Sequence, residues 1–192
     1  MPIRMTVFAR CSVAFLISLF QIGYAMAPFD AAQTKPPATG RGTITFAIWT
    51  DNTTYSSRDA VKLNASLQNS GDSSIYVDRR MFWTGFGGGL QLEIRDQDGS
   101  LVRARPLSDA IMPPPSAKDA SILIRLDEGY FYGTFVKLKA KDFFPKPGKY
   151  SIRVIYKSWL DKDSVAPQLR ELPALWADTP PIASNLIWIA VT

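Results

Sequence analysis

Hydrophobic and polar residues alternate along much of this chain, and the alternation predicts β-strands. In the first such run Ile44, Phe46 and Ile48 share one face of a strand, with polar or small residues between them. Residues 61–68 again carry an apolar side chain at every second position. No window of useful length has the i, i+3, i+4, i+7 spacing of a helix, and only 168–175 is expected to form about one helical turn.

Nine short runs of this kind are separated by turn residues. They lie within residues 44–48, 61–68, 75–77, 90–95, 101–105, 122–126, 135–139, 149–157 and 187–191. Residues 96–99 join two of them as a hairpin, and the cluster 69–72 closes the second strand. Because each strand has only one apolar face and no strand–helix–strand rhythm is present, the predicted fold is an all-β antiparallel sandwich.

The stretch 147–156, a Pro-Gly turn leading into a tyrosine-bearing strand, resembles the penultimate strand of immunoglobulin-like domains of secreted bacterial envelope proteins. The turn at 69–72 and the opening of the last strand at 183–185 are similar. The resemblance covers roughly residues 43–192 and implies an immunoglobulin-like β-sandwich of about seven to nine strands, with Tyr150 as a structural corner residue. It implies no activity, since such domains include modules of unknown role, adhesion modules and proteinase inhibitors.

Residues 1–27 are expected to be a secretory signal peptide. Arg4 and Arg10 precede an apolar run over 13–22, and small residues follow. The run is shorter than the roughly 20 residues that cross a bilayer, so we expect cleavage, with a retained anchor as the alternative. Residues 28–42, rich in Ala, Pro, Thr and Gly, are expected to be a flexible lead-in. The protein is therefore predicted to be secreted or periplasmic, with no stable membrane insertion after leader removal.

The composition removes several chemistries. Of the 192 residues, 46% are hydrophobic and 20% charged, which fits a folded domain. There is no histidine, and the single cysteine, Cys11, lies within the predicted leader. Histidine-dependent triads, Cys–His pairs, and metal or haem sites built on His or Cys are thereby excluded. We expect no cofactor and no metal ion.

The net charge of +5 falls to +3 without Arg4 and Arg10. The lysines between 137 and 146 are spread out, and Lys137 and Lys139 fall on one side of a strand, so a solvated face explains them. We predict no nucleic-acid partner, while attraction to anionic envelope polymers stays open.

Two aromatic segments are candidate contact surfaces. Phe82, Trp83 and Phe86 lie beside glycines in 82–89, a composition suited either to stacking on a sugar ring or partner or to plugging an end of the sandwich. The long segment 159–181, which holds Trp159 and Trp176, is expected either to contact a partner or to fold back over a sheet edge.

A third aromatic cluster, 130–135 with 143–144, is expected to bury alternate rings in the core and to place the others against loops, with a binding platform that leaves several rings in water as the alternative. Asp96 and Asp98 begin a calcium-loop spacing that no later acid completes, so a hairpin turn explains them. The acids at 127–128 and 161–163 offer carboxylates to a glycosidase, but such neighbours usually mark solvated turns.

The leading hypothesis is an exported, non-enzymatic domain that binds an envelope protein or glycan through loop aromatics, with no catalytic residues. The alternatives are a sandwich-type proteinase inhibitor and a carboxylate-dependent hydrolase.

Overall fold

The computed structural model describes residues 44–83, 89–105, 107, 116 and 119–192, so the predicted leader 1–27 and lead-in 28–42 lie outside it. The described strands are β1 (Ile44–Thr50), β2 (Thr54–Tyr55), β3 (Ala60–Asn69), β4 (Ile75–Asp78), β5 (Gly89–Asp96), β6 (Leu101–Arg105), β7 (Leu123–Leu126), β8 (Phe131–Lys139), β9 (Gly148–Lys157), β10 (Ile182–Ala183) and β11 (Ile187–Val191). A one-turn helix, α1 (Ala140–Phe143), follows β8, and short 3-10 turns lie at Ala120–Ile122, Lys162–Ser164 and Pro167–Leu169. In these ranges no helix is long and apolar enough to cross a membrane.

The strands form two main sheets, one in the order β1-β3-β8 and the other in the order β2-β11-β9-β5-β6, with β10 beside β9. The first two strands belong to different sheets, because β1 pairs antiparallel with β3 while β2 pairs parallel with β11. The other strand pairs are antiparallel. The fold is an antiparallel, immunoglobulin-like β-sandwich, which confirms the predicted class.

Strands β3 and β4 pair with β8 and β7 as two consecutive parts of one antiparallel ribbon. The buried Asn69 holds the ribbon together where it is interrupted. Its side-chain N–H groups donate to the carbonyls of Ser73 and Leu126, at 2.8 and 3.0 Å, and its amide oxygen accepts from the N–H of Gly71. The predicted turn at 69–72 is therefore present, as an interruption of the ribbon.

The main core lies between the two sheets. Alternate side chains of β3, β5 and β9, among them Leu63, Leu92 and Ile152, are fully buried there. Burying an aliphatic side chain of this size contributes about 1.5–3 kcal/mol. Because side chains alternate along a strand, the residues between them face outward and define the outer surface of each sheet.

Two polar side chains fasten strands to nearby backbone. Asn185, between β10 and β11, accepts from the N–H of Ile48 at 2.8 Å and donates to its carbonyl at 3.1 Å, so it ties the second sheet to β1 of the first. The hydroxyl of Tyr150 donates to the carbonyl of Lys146 at 2.7 Å, and its ring packs against Phe144. In both cases a side chain provides hydrogen bonds to backbone groups that strand pairing leaves without a partner.

The long segment 159–181 folds back along the edge of β4. The N–H of Tyr76 donates to the carbonyl of Pro173 at 2.9 Å, and the N–H of Leu175 donates to the carbonyl of Tyr76 at 2.9 Å. Beneath the segment is a smaller core, formed by Ile122, Leu123, Leu160, Val165 and Trp176. The helical turn expected near 168–175 is reduced to the short 3-10 turn at Pro167–Leu169.

Candidate functional site

Residues 79–83, which follow β4, form a stretch that we term the braced segment. The hydroxyl of Tyr132 donates to the carbonyl of Arg79 at 2.7 Å, and the N–H of Leu90 donates to the carbonyl of Phe82 at 2.7 Å. These bonds reach the segment from β8 and β5, which belong to different sheets. The backbone here is therefore fixed by partners on two sides.

Arg80 links the braced segment to the residues that follow β9. Its guanidinium donates to the carboxylate of Asp78, from Nε to Oδ1 at 3.0 Å and from Nη2 to Oδ2 at 2.8 Å. The same guanidinium lies 5.3 Å from the ring centroid of Trp159. Asp78 is only 2% exposed, so this ion pair is largely desolvated, and removing one partner would strand a buried charge.

The predicted contact residues of the first loop divide between surface and core. Phe82 is 44% exposed, so its ring is available to a partner. Trp83 is half-buried and packs against the main core. Phe86 lies outside the described residues. The structure thus leaves Phe82 as the described aromatic of this loop that faces solvent.

The two tryptophans of the second segment are largely covered. Trp159 is half-buried against Arg80. Trp176 is 6% exposed and packs into the smaller core, with the ammonium of Lys162 lying 5.8 Å from its ring. A contact role for Trp176 is not supported, because the fold uses almost all of its surface; its role is to fill the space under the returning segment.

Two indole N–H groups and one phenol are buried near this end of the sandwich. Among the residues that the structure describes, the Nε1 atoms of Trp83 and Trp159 have no hydrogen-bond partner. Burial, and to a smaller extent the carboxylate of Asp78, raise the pKa of Tyr156 well above its ordinary value. The phenol of Tyr156 is therefore neutral at every physiological pH.

A second aromatic surface is the outer face of the β1-β3-β8 sheet, which we term the aromatic sheet face. Strand register places the following residues on it: Thr45, Ala47, Trp49, Ala60, Lys62, Asn64, Ser66, Gln68, Phe131, Gly133, Phe135, Lys137 and Lys139. Phe131 is 70% exposed and Phe135 is 55% exposed. They are among the largest exposed hydrophobic side chains of the described chain.

This face corrects the expectation for the cluster 130–135. Tyr132 is half-buried and Phe144 is buried, as a core role requires. Tyr130, Phe131 and Phe135 are instead exposed to solvent rather than packed against loops. The physical reason is that the sheet buries one face only, and Phe131 and Phe135 are an even number of residues apart on the other.

The carboxylates form solvated turns and pairs. Hydrogen bonds from Ser74 and then Arg125 lower the pKa of Asp127, and bonds from the hydroxyl and N–H of Ser121 lower the pKa of Asp119. Asp96 accepts from backbone N–H groups in the hairpin turn between β5 and β6, as the sequence predicts. Across the described ranges, no three histidine, cysteine, aspartate or glutamate side chains are grouped so as to hold a metal ion.

No protein-family model matches this chain, and no curated protein matches it. Among solved structures, it is similar to a β-glucosidase from Erythrobacter marinus (15% identity, TM-score 0.35, 79% of this chain and 16% of that one) and to the CARDB domain of the PF1109 protein from Pyrococcus furiosus, in complex with di-metal ions (8%, 0.37, 80% and 96%). A β-glucosidase from Listeria innocua is also similar (10%, 0.33, 78% and 16%). The chain therefore spans 16% of the length of these β-glucosidases. At such TM-scores the likenesses add nothing to what the strand pairing shows.

Proposed function

We propose that this protein is an exported, non-enzymatic binding module that contacts an envelope protein or glycan through loop aromatics, with Phe82 of the braced segment as the contact residue. The observation that carries the proposal is the exposed ring of Phe82 on the braced segment. An exposed aromatic ring on fixed backbone binds with little loss of conformational entropy, which is the property that good contact residues share.

Arg80 and Trp159 help to keep the braced segment in place. The bidentate bond to Asp78 and the stacking on Trp159 hold the guanidinium in place beneath the braced segment. A loop that is already ordered before binding needs no further ordering when a partner arrives. A braced loop of this kind would equally suit a proteinase inhibitor, so the test includes that arm.

The carboxylates favour a binding module over a hydrolase. A glycosidase acid must keep its proton near neutral pH, which requires a raised pKa. In Asp119 and Asp127 the pKa is lowered instead, so both are ionised. The buried Asp78 is committed to Arg80. These three residues are therefore poor general acids.

Export is part of the proposal. It is supported by the basic and apolar N-terminal pattern of residues 1–22 and by the lack of any cysteine after Cys11, which leaves the domain indifferent to an oxidising compartment. Detection of the domain in the periplasmic or culture fraction, with residues 1–27 removed, is the expected result.

The test places a photo-crosslinking phenylalanine analogue at position 82 in the native host, with position 101 as the control. Leu101 is 50% exposed and begins β6 opposite Arg95, at the end of β5 far from Leu90, which bonds to Phe82. We expect an adduct at 82 that is absent at 101, and Phe82→Ala should weaken binding of the identified partner about tenfold. The same adducts from both positions would contradict the proposal. The purified protein is also tested against a panel of proteases. If it inhibits one of them and Phe82→Ala abolishes that inhibition, the proteinase-inhibitor hypothesis replaces the proposed binding module.

A further inference from the structure

On the aromatic sheet face, each of the two exposed phenylalanines lies beside a side-chain amide. Register places Gln68 directly beside Phe131, and Asn64 directly beside Phe135. The amide nitrogens make only long bonds, from Gln68 to the carbonyl of Gly129 at 3.4 Å and from Asn64 to that of Trp49 at 3.3 Å. In the described chain neither amide oxygen accepts a hydrogen bond. Each ring thus has a hydrogen-bonding group next to it.

A row of small residues separates these two pairs. Ala47, Ser66 and Gly133 lie side by side across the three strands. Gly133 cannot gain a side chain without a backbone shift, because a Cβ there would lie 2.5 Å from the carbonyl oxygen of Ala65. The two aromatic rows are each two residues away, so a shallow trough about 13 Å wide runs between Phe131 and Phe135.

The charge of the face has one sign. Its ionisable residues are Lys62, Lys137 and Lys139, and Lys62 lies directly opposite Lys137. No acidic residue occupies an outward position of β1, β3 or β8, and none of the three lysines makes an ion pair in the described structure. Lys62 instead lies over the ring of Phe135, with its ammonium 5.0 Å from the centroid. The face is complementary to an anionic ligand.

From these observations we propose that the aromatic sheet face binds an acidic polysaccharide. Sugar rings stack on Phe131 and Phe135, their hydroxyls bond to the amides of Gln68 and Asn64, and carboxylates of the chain meet Lys62 and Lys137. An amide beside each ring suits a ligand that is apolar on its faces and polar at its edges, as a sugar is. Duplex nucleic acid is disfavoured, since its binding depends on neutralising many phosphates and the cations of this face are only Lys62, Lys137 and Lys139.

The aromatic sheet face shares no residue with the braced segment. The polysaccharide proposal can therefore be confirmed or refuted independently of the proposed function. The probe is polygalacturonate, with its methyl-esterified form as the matched ligand that lacks charge. Using the purified protein, we expect titration calorimetry to show binding to polygalacturonate, weaker binding to the ester, and weakening by salt. Phe135→Ala and Phe131→Ala should each weaken binding to both forms about fivefold.

Matched variants distinguish this site from general adhesion. Trp188→Ala, which removes a ring that is 53% exposed on the second sheet, and Phe82→Ala should leave polygalacturonate binding unchanged. Lys137→Gln should weaken binding to polygalacturonate and leave the ester unaffected. Circular dichroism and the unfolding midpoint establish that each variant is folded. Absence of binding, an equal loss in Trp188→Ala, or tighter binding to phosphatidylglycerol vesicles or duplex DNA than to polygalacturonate would overturn the proposal.

Discussion

Two aromatic regions of this molecule differ in how far their rings are buried. One region, which we term the loop end, comprises residues 79–83 and 159–181. Its tryptophans are half-buried or buried: Trp83, Trp159 and Trp176. The phenylalanines of a regular strand, Phe131 and Phe135, stand in solvent. Sequence composition favours the reverse, because glycine-rich and long loops look exposed while a strand dense in aromatics looks like core. In β8, sheet face rather than local composition decides which rings are available, whereas in the first loop Phe82 is exposed beside the half-buried Trp83.

The parity of β8 explains its exposed rings. Val136 and Leu138 point inward, and Lys137 and Lys139 point outward. Extending the same alternation toward the N-terminus places Phe135 and Phe131 on the lysine side. This signal was present in the sequence, but the predicted strand began at residue 135 whereas the observed one begins at Phe131. A predicted strand that began at residue 131 would have placed Phe131 and Phe135 on the outward face with the lysines.

The buried tryptophans have a different cause. With no cysteine after Cys11, the long segment 159–181 cannot be held by a disulfide. A large ring such as that of Trp176 buries more area than any other side chain, and so fastens the segment to the β4–β7 ribbon. The sharpest test of the contrast is therefore to remove a ring from each region.

The largest expected effect is the loss of a buried ring. Trp176→Ala should lower the free energy of unfolding by about 3–5 kcal/mol, because it empties the smaller core. Phe131→Ala should change it by less than about 0.5 kcal/mol, since the ring is exposed. Urea unfolding of both variants measures the difference. Similar losses in the two would erase the contrast between the regions.

Next in size is the buried ion pair at the loop end. Arg80→Ala should cost about 3 kcal/mol, because the carboxylate of Asp78 is left buried without its partner. The matched control is Arg79→Ala, whose pair with Asp119 is exposed and should be worth no more than about 1 kcal/mol. Equal costs for the two arginines, measured by thermal or urea unfolding, would show that the loop end is as solvated as the sheet face.

The buried phenol of Tyr156 should also make the stability of the protein depend on alkaline pH. The folded-state pKa of Tyr156 is raised above the unfolded value of about 10, so stability is intact below that pH and is lost as the pH rises above it. Half a unit to one unit above pH 10, Tyr156→Phe should therefore keep about 1 kcal/mol of the free energy of unfolding that the parent protein loses. Unfolding midpoints on either side of pH 10 provide the measurement, and an identical pH dependence in Tyr156→Phe and the parent protein would refute the assignment.

The smallest expected effect has the opposite sign. Lys62 and Lys137 are directly opposed across β3 and β8, and like charges at such positions are destabilising. Lys137→Glu should therefore raise the free energy of unfolding by about 0.5 kcal/mol while it abolishes polygalacturonate binding. Lys149→Glu, at an exposed site opposite Ala190, is the control without a like-charged neighbour. A destabilised Lys137→Glu would argue against the electrostatic reading of the sheet face.

Much of the fold could be predicted because each long strand carries its own pattern. All nine predicted runs correspond to observed strands, although Ile122 lies in a 3-10 turn before β7. The two-residue strands β2 and β10 and the one-turn α1 are too short to show any period. The parallel pairing of β2 with β11 joins Tyr55 to Val191, residues far apart in the chain, and no local pattern encodes such a partner.

The candidate site was less predictable, because availability depends on what packs against each ring. That Trp159 lies against Arg80, and that Asn185 reaches Ile48 across the two sheets, are consequences of long-range packing. A sequence shows that an aromatic residue is present and, at best, its parity in a strand. It does not show which segment will return to cover it.

Hydroxyl-radical footprinting read by mass spectrometry tests the contrast most directly. With rates normalised to the intrinsic reactivity of each residue type, Phe131 and Phe135 should be modified rapidly in the folded protein, and Trp176 and Trp159 should be protected. Rapid modification of Trp176 together with protection of Phe131 would contradict the assignment of the sheet face as the exposed aromatic surface.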